Sequence, residues 1–250
     1  MAIFLRESDV ENLATMKMSL EAVEQAFKLQ GEQKAENVPR RRCRLENGCL
    51  HVMSASLPTL GIAGLKAYST LGGSANFLVH LYDTREGSLL AVIEANRLGQ
   101  LRTGAATGVA TKHMARPDAA SVGIFGTGWQ ARGQLLAVSA VRPIKTIVAF
   151  GRDPERLDTF TKEMSKILGI GVVSAANPEE AVRDMDIIIA ATTSIVGSAC
   201  SGNTCERSII ANNRNNRGGA SEVSPRASPK SGVALRDRHD WGLDRLWLLS

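Results

Sequence analysis

The chain has few cysteines and no long apolar run, and both absences narrow its class. Its 250 residues include four Cys, none of them in a CxxC pair, so neither a disulfide framework nor a zinc site is expected. No apolar run approaches the roughly 20 residues that a membrane-spanning helix needs. Arg6, Glu7 and Asp9 interrupt the N-terminal stretch where a signal peptide requires an apolar core. We therefore expect a cytoplasmic protein with reduced thiols and no membrane partner.

Charge and histidine spacing exclude two further kinds of partner. The chain has 30 basic and 25 acidic residues, a net charge of +5, and its only dense basic cluster is Arg40, Arg41, Arg42 and Arg44. A nucleic-acid interface needs a broader basic face, so we expect no nucleic acid. The four His residues have no ligand spacing, and we expect no metal.

The first hundred residues read as a helical segment followed by a sheet. Ser8 and Glu11 have the spacing of a capping box, and Leu20, Val23 and Phe27 form an apolar helical stripe, so the N-terminus is predicted to be helical. Short apolar runs separated by Gly, Pro or charged turns then predict strands. These strands are residues 49–53, 62–68, 77–82 and 89–93. Helix and sheet together indicate an α+β domain.

A βαβ pattern follows, with a glycine turn between strand 121–125 and a helix over about residues 130–140. The turn Gly126-Thr127-Gly128, continued by Trp129, Gln130 and Ala131, reads GxGxxA. The first glycine permits a tight turn, the second lets the backbone approach a diphosphate, and the small last residue lets the helix pack closely on the strand. Strands at 146–150, 171–174 and 186–191 complete the pattern. We predict an α/β fold with a Rossmann-type parallel sheet that binds a dinucleotide.

The end of the second strand of this unit bears on the choice between NAD and NADP. It reads Phe150-Gly151-Arg152-Asp153. The guanidinium of Arg152 suits a 2′-phosphate and favours NADP, whereas an acidic residue there would hold a ribose hydroxyl and favour NAD. We expect NADP. The alternative, with Arg152 in solvent and Asp153 on the ribose, stays open.

Three motifs stand out along the chain: Leu65-Lys66, Arg102-Thr103-Gly104-Ala105 and the GxGxQA turn at Gly126–Ala131. Together they resemble the ornithine cyclodeaminase and mu-crystallin family. The resemblance covers about residues 5–194. It implies a homodimer with a substrate domain and a Rossmann domain. It also implies an NAD(P)-dependent oxidoreductase or deaminase that acts on the carbon–nitrogen bond of a small α-amino or α-imino acid. Ornithine cyclodeaminase, alanine dehydrogenase and ketimine reductase are the types included.

The resemblance also implies which residues form the site. The substrate carboxylate would be held by an arginine just after Pro39, either Arg40 or Arg42, and by Lys66 and Arg102. Lys66 is the expected catalytic residue, and it lies in an apolar run where an ammonium is costly unless it is paired. The expected cofactor residues are Arg102, Gly126, Thr127, Gly128, Gln130, Ala131, Arg152 and Thr192.

The chain departs from the family after residue 194. We predict a substrate and dimerisation domain at residues 1–117, the first part of a Rossmann domain at 118–194, and a divergent, mostly irregular tail at 195–250. That tail has 11 Val, Ile and Leu and no Phe, which is little apolar surface to bury. Residues 211–223, where the family would place a catalytic Asp, contain none. One hypothesis is a tail read out of frame or a truncated gene. The alternative to an enzyme is therefore an inactive member or a non-catalytic nucleotide- or small-ligand-binding protein of crystallin type.

Overall fold

A computed structural model describes residues 1–71 and 75–192 in full, together with the backbone of residues 209–212 and 234–236. One compact unit holds Met1–Arg102, and a second holds the described residues of Thr103–Asp237. The boundary falls inside helix α3 (Asn96–Met114), which contributes residues to both units. The division by function that the sequence suggests, with a substrate domain ending at residue 117, remains a prediction.

The first unit is built on a six-stranded sheet with the strand order β1-β6-β5-β4-β3-β2. Its strands are β1 (Ile3–Leu5), β2 (Glu36–Leu45), β3 (Gly48–Leu57), β4 (Ile62–Ser69), β5 (Phe77–Asp83) and β6 (Leu89–Glu94). Neighbouring strands run antiparallel, except that β1 is parallel to β6. The four predicted strands are confirmed as β3 to β6. One face of β3 is buried at alternate residues, Met53, Ala55 and Leu57 among them.

Two helices precede the sheet, α1 (Glu7–Leu13) and α2 (Met16–Gly31). Helix formation is confirmed, but the Ser8–Glu11 capping box is wrong. Ser8 lies inside α1, and the carboxylate of Asp9 accepts the N–H of Arg6 at 2.8 Å instead.

The start of α1 is joined to the start of α3 by long-range hydrogen bonds that the sequence pattern does not show. The Glu7 carboxylate accepts the backbone N–H groups of Asn96, at 3.0 Å, and of Arg97. Glu7 therefore satisfies orphan donors at the beginning of α3, as a side-chain cap does.

The second unit is a six-stranded sheet in which every described pairing is parallel, with the order β12-β11-β10-β7-β8-β9. Its strands are β7 (Ser121–Phe125), β8 (Thr146–Phe150), β9 (Val172–Ser174), β10 (Ile187–Ala190), β11 (Ile209–Asn212) and β12 (Ala234–Arg236). Helices α4 (Trp129–Val141) and α5 (Pro154–Leu168) connect β7 to β8 and β8 to β9. The Rossmann-type parallel sheet is confirmed.

Strands β11 and β12 fall in the segment that the composition indicated as mostly irregular. They extend the sheet beyond β10, and the sequence analysis did not expect them. The prediction for the rest of residues 193–250 lies outside the described residues.

The core of the second unit lies between the sheet and its helices. Val122, Ile124, Leu135, Ile147 and Phe160 are fully buried there. Burial of each such side chain stabilises the fold by about 1.5–3 kcal/mol, so this core holds the carboxyl ends of β7 and β8 in place. None of the helices that the structure describes is both long and apolar enough to cross a membrane.

Candidate functional site

The glycine turn occupies the carboxyl end of β7, between Phe125 and the start of α4. Gly126 has φ +98°, and an ideal Cβ there would lie 2.4 Å from the carbonyl oxygen of Ala191. Such a φ disfavours any residue with a side chain, and the space is closed as well. Thr192 adjoins the same glycine, with its Cβ 3.3 Å from that ideal position. The structure therefore places Thr192 beside the turn.

The second glycine of the turn stands where α4 begins, and its surroundings are open. Gly128 is the N-cap of α4, no described side chain caps that helix, and an ideal Cβ would meet nothing within 4 Å. By contrast, Asp153 caps α5 by accepting the N–H of Arg156 at 3.1 Å. Orphan N–H groups and the helix dipole make such an N-terminus suited to an anion. The open space allows a diphosphate to approach the backbone.

The helix behind the turn is packed through small residues. Ala131 is fully buried, which explains the small third position of the motif. An ideal Cβ at Gly104 would lie 2.2 Å from the carbonyl oxygen of Gly133, so α3 and α4 approach each other there at backbone distance. Gly104 belongs to the Arg102–Ala105 motif, and its partner Gly133 was missed by the sequence analysis.

The residues that bear on the choice of cofactor lie after β8. An ideal Cβ at Gly151 would lie 3.0 Å from Cγ2 of Thr127, so this strand end borders the glycine turn. Arg152 and Asp153 are both exposed. Asp153 is engaged with α5, through the helix cap and an ion pair to Arg156 at 3.3 Å.

A cationic cluster in the first unit centres on Lys66, which is 2% exposed. The Lys66 ammonium lies 4.1 Å from the ring centroid of Phe77 and 5.6 Å from that of Tyr68. Burial, followed by repulsion from Arg102 and Arg40, holds the pKa of Lys66 well below its ordinary value of 10.5. Positive charge from two arginines therefore acts on this buried lysine, and a negative group beside Lys66 would favour its ammonium form.

Two residues of α3 lie near Lys66: Arg102, which lowers its pKa, and Gly99, which adjoins its ammonium group. Arg102 is 8% exposed, and an ideal Cβ at Gly99 would lie 4.0 Å from the Lys66 ammonium nitrogen. The first turns of α3 therefore lie against the buried lysine. Within the first unit, Arg102 therefore lies close enough to lower the pKa of Lys66.

The structure separates the two candidate arginines of β2. The pairing of β2 with β3 shifts between Val38 and Arg41, which marks a β-bulge. Arg40, at this bulge, is half-buried and lowers the pKa of both Lys66 and His51. Arg42 is exposed and opposes His51 across the strand pair. The geometry therefore places Arg40, rather than Arg42, within the influence of Lys66.

His51 is a buried polar residue that the sequence analysis did not assign. It is 8% exposed, its ring stacks on Tyr68 at 4.5 Å, and its Nε2 lies 3.3 Å from the Thr70 hydroxyl. Burial, followed by Arg40 and Arg42, lowers its pKa, so the ring is neutral at pH 7. Its Nδ1 has no hydrogen-bond partner among the described residues. The sequence signal that could have found it is its position in β3, where His51 shares the alternation of the buried residues Met53 and Ala55.

No described group of three or more His, Cys, Asp or Glu side chains is placed to hold a metal. Each unit instead offers a site suited to an anion, one made from backbone N–H groups and the other from buried cations. A parallel sheet with a glycine turn at the start of its first helix defines a dinucleotide-binding α/β protein. Fold alone does not assign a reaction.

The chain belongs to the ornithine cyclodeaminase/mu-crystallin family, whose sequence model matches residues 1–200. This confirms the family that the three motifs indicated. One curated relative is a Δ1-pyrroline-2-carboxylate reductase of Bacillus cereus, 40% identical over 117 residues, which are 47% of this chain and 36% of the relative. The match with this relative therefore spans about a third of its length.

Solved structures of the family support the fold. The Δ1-pyrroline-2-carboxylate reductase of Thermococcus litoralis, in complex with NADH and L-proline, is 34% identical with a TM-score of 0.75 and covers 83% of this chain and 67% of its own. An archaeal alanine dehydrogenase dimer with bound NAD is 32% identical with a TM-score of 0.72. The match covers 77% of this chain and 61% of the dehydrogenase chain. The cofactor in both relatives is thus NADH or NAD.

Proposed function

We propose that the chain is an NAD(P)-dependent oxidoreductase or cyclodeaminase acting on the carbon–nitrogen bond of a small α-amino or α-imino acid. The observation that carries the proposal is the burial of Lys66 beside Arg40 and Arg102, because an α-carboxylate supplies the negative charge that this cluster favours. In this reading residues 1–117 serve the substrate and residues 118–194 serve the cofactor.

The carboxylate subsite is assigned to Arg40, Lys66 and Arg102. An arginine binds a carboxylate through two parallel hydrogen bonds, and a lysine acts as a point charge. Arg42 was an equal candidate from the sequence. The exposure of Arg42, and the effect of the Arg40 charge on the Lys66 pKa, favour Arg40.

The cofactor subsite is assigned to Gly126, Thr127, Gly128, Gln130, Ala131 and Thr192, with Arg102 toward the nicotinamide end, as the family resemblance implies. We expect the diphosphate at the uncapped start of α4. We favour NADP over NAD because Arg152 is exposed after β8 while Asp153 is used to cap α5. NAD remains the alternative, since the relatives whose cofactor is named carry NADH or NAD.

When bound, the nicotinamide supplies hydride exchange with the α-carbon of the substrate. The residues of the chain do the rest. Arg40 and Arg102 fix the carboxylate and so orient the adjacent carbon–nitrogen bond. Lys66 adds a third contact, and its lowered pKa makes its ammonium a better proton donor than an ordinary lysine. The carboxylate raises the Lys66 pKa on binding, because an opposite charge favours the ammonium form.

We further propose a homodimer, as in the archaeal alanine dehydrogenase relative. The face of the first sheet opposite Lys66 carries partly exposed apolar side chains on β3 and β5, the two strands that flank β4. Leu50 is 37% exposed and Leu78 is 36% exposed. An exposed apolar face of this kind favours a partner. Light scattering of the purified chain gives its mass, and a monomer would contradict this part of the proposal.

The main test measures binding and turnover separately on the full chain. Nicotinamide fluorescence reports NADH and NADPH binding, and the loss of nicotinamide absorbance reports reduction of Δ1-pyrroline-2-carboxylate, or of pyruvate with ammonia. We expect both signals. Binding without turnover on any amino or imino acid would favour the non-catalytic binding protein, and failure to bind either dinucleotide would reject the cofactor subsite.

A further inference from the structure

We infer that Arg132 is a positioning residue for the cofactor diphosphate, and that Glu163 on α5 keeps it in place. The inference rests on the proposed function and names a determinant of cofactor affinity outside the glycine motif. Arg132 follows the motif directly and lies in the first turn of α4.

The Arg132 guanidinium holds the carbonyl groups of the glycine turn. Its Nη1 donates to the carbonyl oxygen of Thr127 at 3.0 Å and to that of Gly128 at 3.1 Å. Hydrogen bonds from a charged donor are stronger than those from a neutral one. Two successive peptide groups of the turn are therefore fixed by a single side chain.

Fixing these carbonyls also fixes the donors of the turn. A trans peptide group points its N–H opposite to its C=O. The carbonyls of Thr127 and Gly128 belong to the same peptide groups as the N–H groups of Gly128 and Trp129. Because the carbonyls are turned toward Arg132, the N–H groups are turned away from it, and the carbonyl oxygens are kept from facing an anion.

Arg132 is itself held from α5. Its Nε donates to the two carboxylate oxygens of Glu163 at 2.9 and 3.0 Å. Its guanidinium carbon lies 5.3 Å from the ring centroid of Phe160, which is fully buried. The hydrogen bond from Arg132 is the main cause that lowers the pKa of Glu163, which favours the carboxylate form of Glu163. The side chains of Arg132 and Glu163 are 22% and 38% exposed, so this pair is shielded from solvent more than the Lys162–Asp158 pair, whose side chains are 75% and 59% exposed.

The same helix provides a matched control. Lys162 forms an exposed ion pair with Asp158 at 2.7 Å, one position before Glu163, and neither residue touches the glycine turn in any described contact. An effect of general surface charge would appear in Lys162→Gln as well as in Glu163→Gln. An effect through Arg132 would appear only in Glu163→Gln.

The experiment measures NADH and NADPH dissociation constants, steady-state kinetics and thermal unfolding on the full chain. The variants are Arg132→Gln, Glu163→Gln, the double variant and Lys162→Gln. We expect Arg132→Gln to weaken dinucleotide binding roughly tenfold, the factor equivalent to about 1.4 kcal/mol. Its KM for the cofactor should rise while kcat at saturating cofactor and the KM for the imino acid change little. Glu163→Gln should show a smaller loss, and the double variant should lose no more than Arg132→Gln, because the two residues act as one unit.

The outcomes separate this inference from the proposed function. If the wild-type chain binds neither dinucleotide, both the proposed function and the inference about Arg132 are overturned. If the wild type binds and a folded Arg132→Gln binds equally well, only the inference is overturned. If Arg132→Gln does not fold, Glu163→Gln decides, and unchanged cofactor affinity in that variant overturns the inference. Equal losses in Glu163→Gln and Lys162→Gln would also overturn it.

Discussion

Replacing Lys66 by methionine should raise the stability of the fold and sharply lower the activity. In the folded chain the pKa of Lys66 is well below 10.5, first because of burial and then because of Arg102 and Arg40, whereas in the unfolded chain it is ordinary. The unfolded state therefore binds more protons between the lowered pKa and 10.5, so stability rises with pH across that window. Below the window the whole cost of the buried ammonium is present.

Methionine keeps most of the volume of the side chain and removes that cost. Because the lowered pKa means that the fold disfavours the ammonium form, we expect Lys66→Met to unfold at a higher temperature at pH 7. The gain should shrink as the pH approaches 10.5. Loss of a buried charged partner of the carboxylate costs about 2–5 kcal/mol of binding, which corresponds to roughly a 30- to 5000-fold fall in kcat/KM.

Thermal unfolding at several pH values and imine reduction by nicotinamide absorbance measure the two effects. The exposed Lys162→Met serves as the control and should change neither. If Lys66→Met lost stability and activity in parallel, Lys66 would be holding the fold rather than a ligand, and the assignment of the carboxylate subsite would be refuted.

Other substitutions test the remaining parts of the site. Gly128→Asp should keep the fold, because its Cβ meets nothing within 4 Å, yet abolish the fluorescence signal of dinucleotide binding by placing a negative charge at the diphosphate site. Gly126→Ala, at φ +98° and 2.4 Å from the Ala191 carbonyl oxygen, should lower the free energy of unfolding by at least about 1–3 kcal/mol in a denaturant titration. Arg152→Ala should cut the affinity for NADPH about tenfold or more and leave that for NADH unchanged, since a hydrogen bond to a charged group contributes about 1.5–3 kcal/mol; equal effects on both cofactors would argue against NADP. Arg40→Ala should reduce kcat/KM far more than Arg42→Ala. The reverse order would assign binding of the carboxylate to the exposed Arg42 instead.

The parts of the site that could be predicted from the sequence are those fixed by local geometry. The glycine turn was found because Gly126 needs a positive φ and Ala131 a buried position, and both demands act within one βαβ unit. The choice between Arg40 and Arg42 depends on a bulge in the pairing of β2 with β3, which no local pattern shows. Arg132 was missed for a similar reason, since its partner Glu163 lies 31 residues further on. Strands β11 and β12 are four and three residues long, too short to stand out by periodicity, and they are defined by their pairing with the parallel sheet.

The two subsites attract anions by different physical means, and this explains which features the sequence displayed. At the start of α4 the attraction comes from backbone N–H groups. Because almost every residue has one, the sequence shows only the glycines that let a diphosphate approach the backbone. At Lys66 the attraction comes from side-chain charge inside an apolar strand. The sequence shows this as a lysine whose ammonium would be costly to bury there unless it is paired. Backbone donors cost little when no anion is bound, because water can reach the exposed Gly128. A buried ammonium carries a desolvation cost, which the lowered pKa of Lys66 reflects, so the proposed carboxylate subsite should bind its ligand with a dependence on the protonation of Lys66.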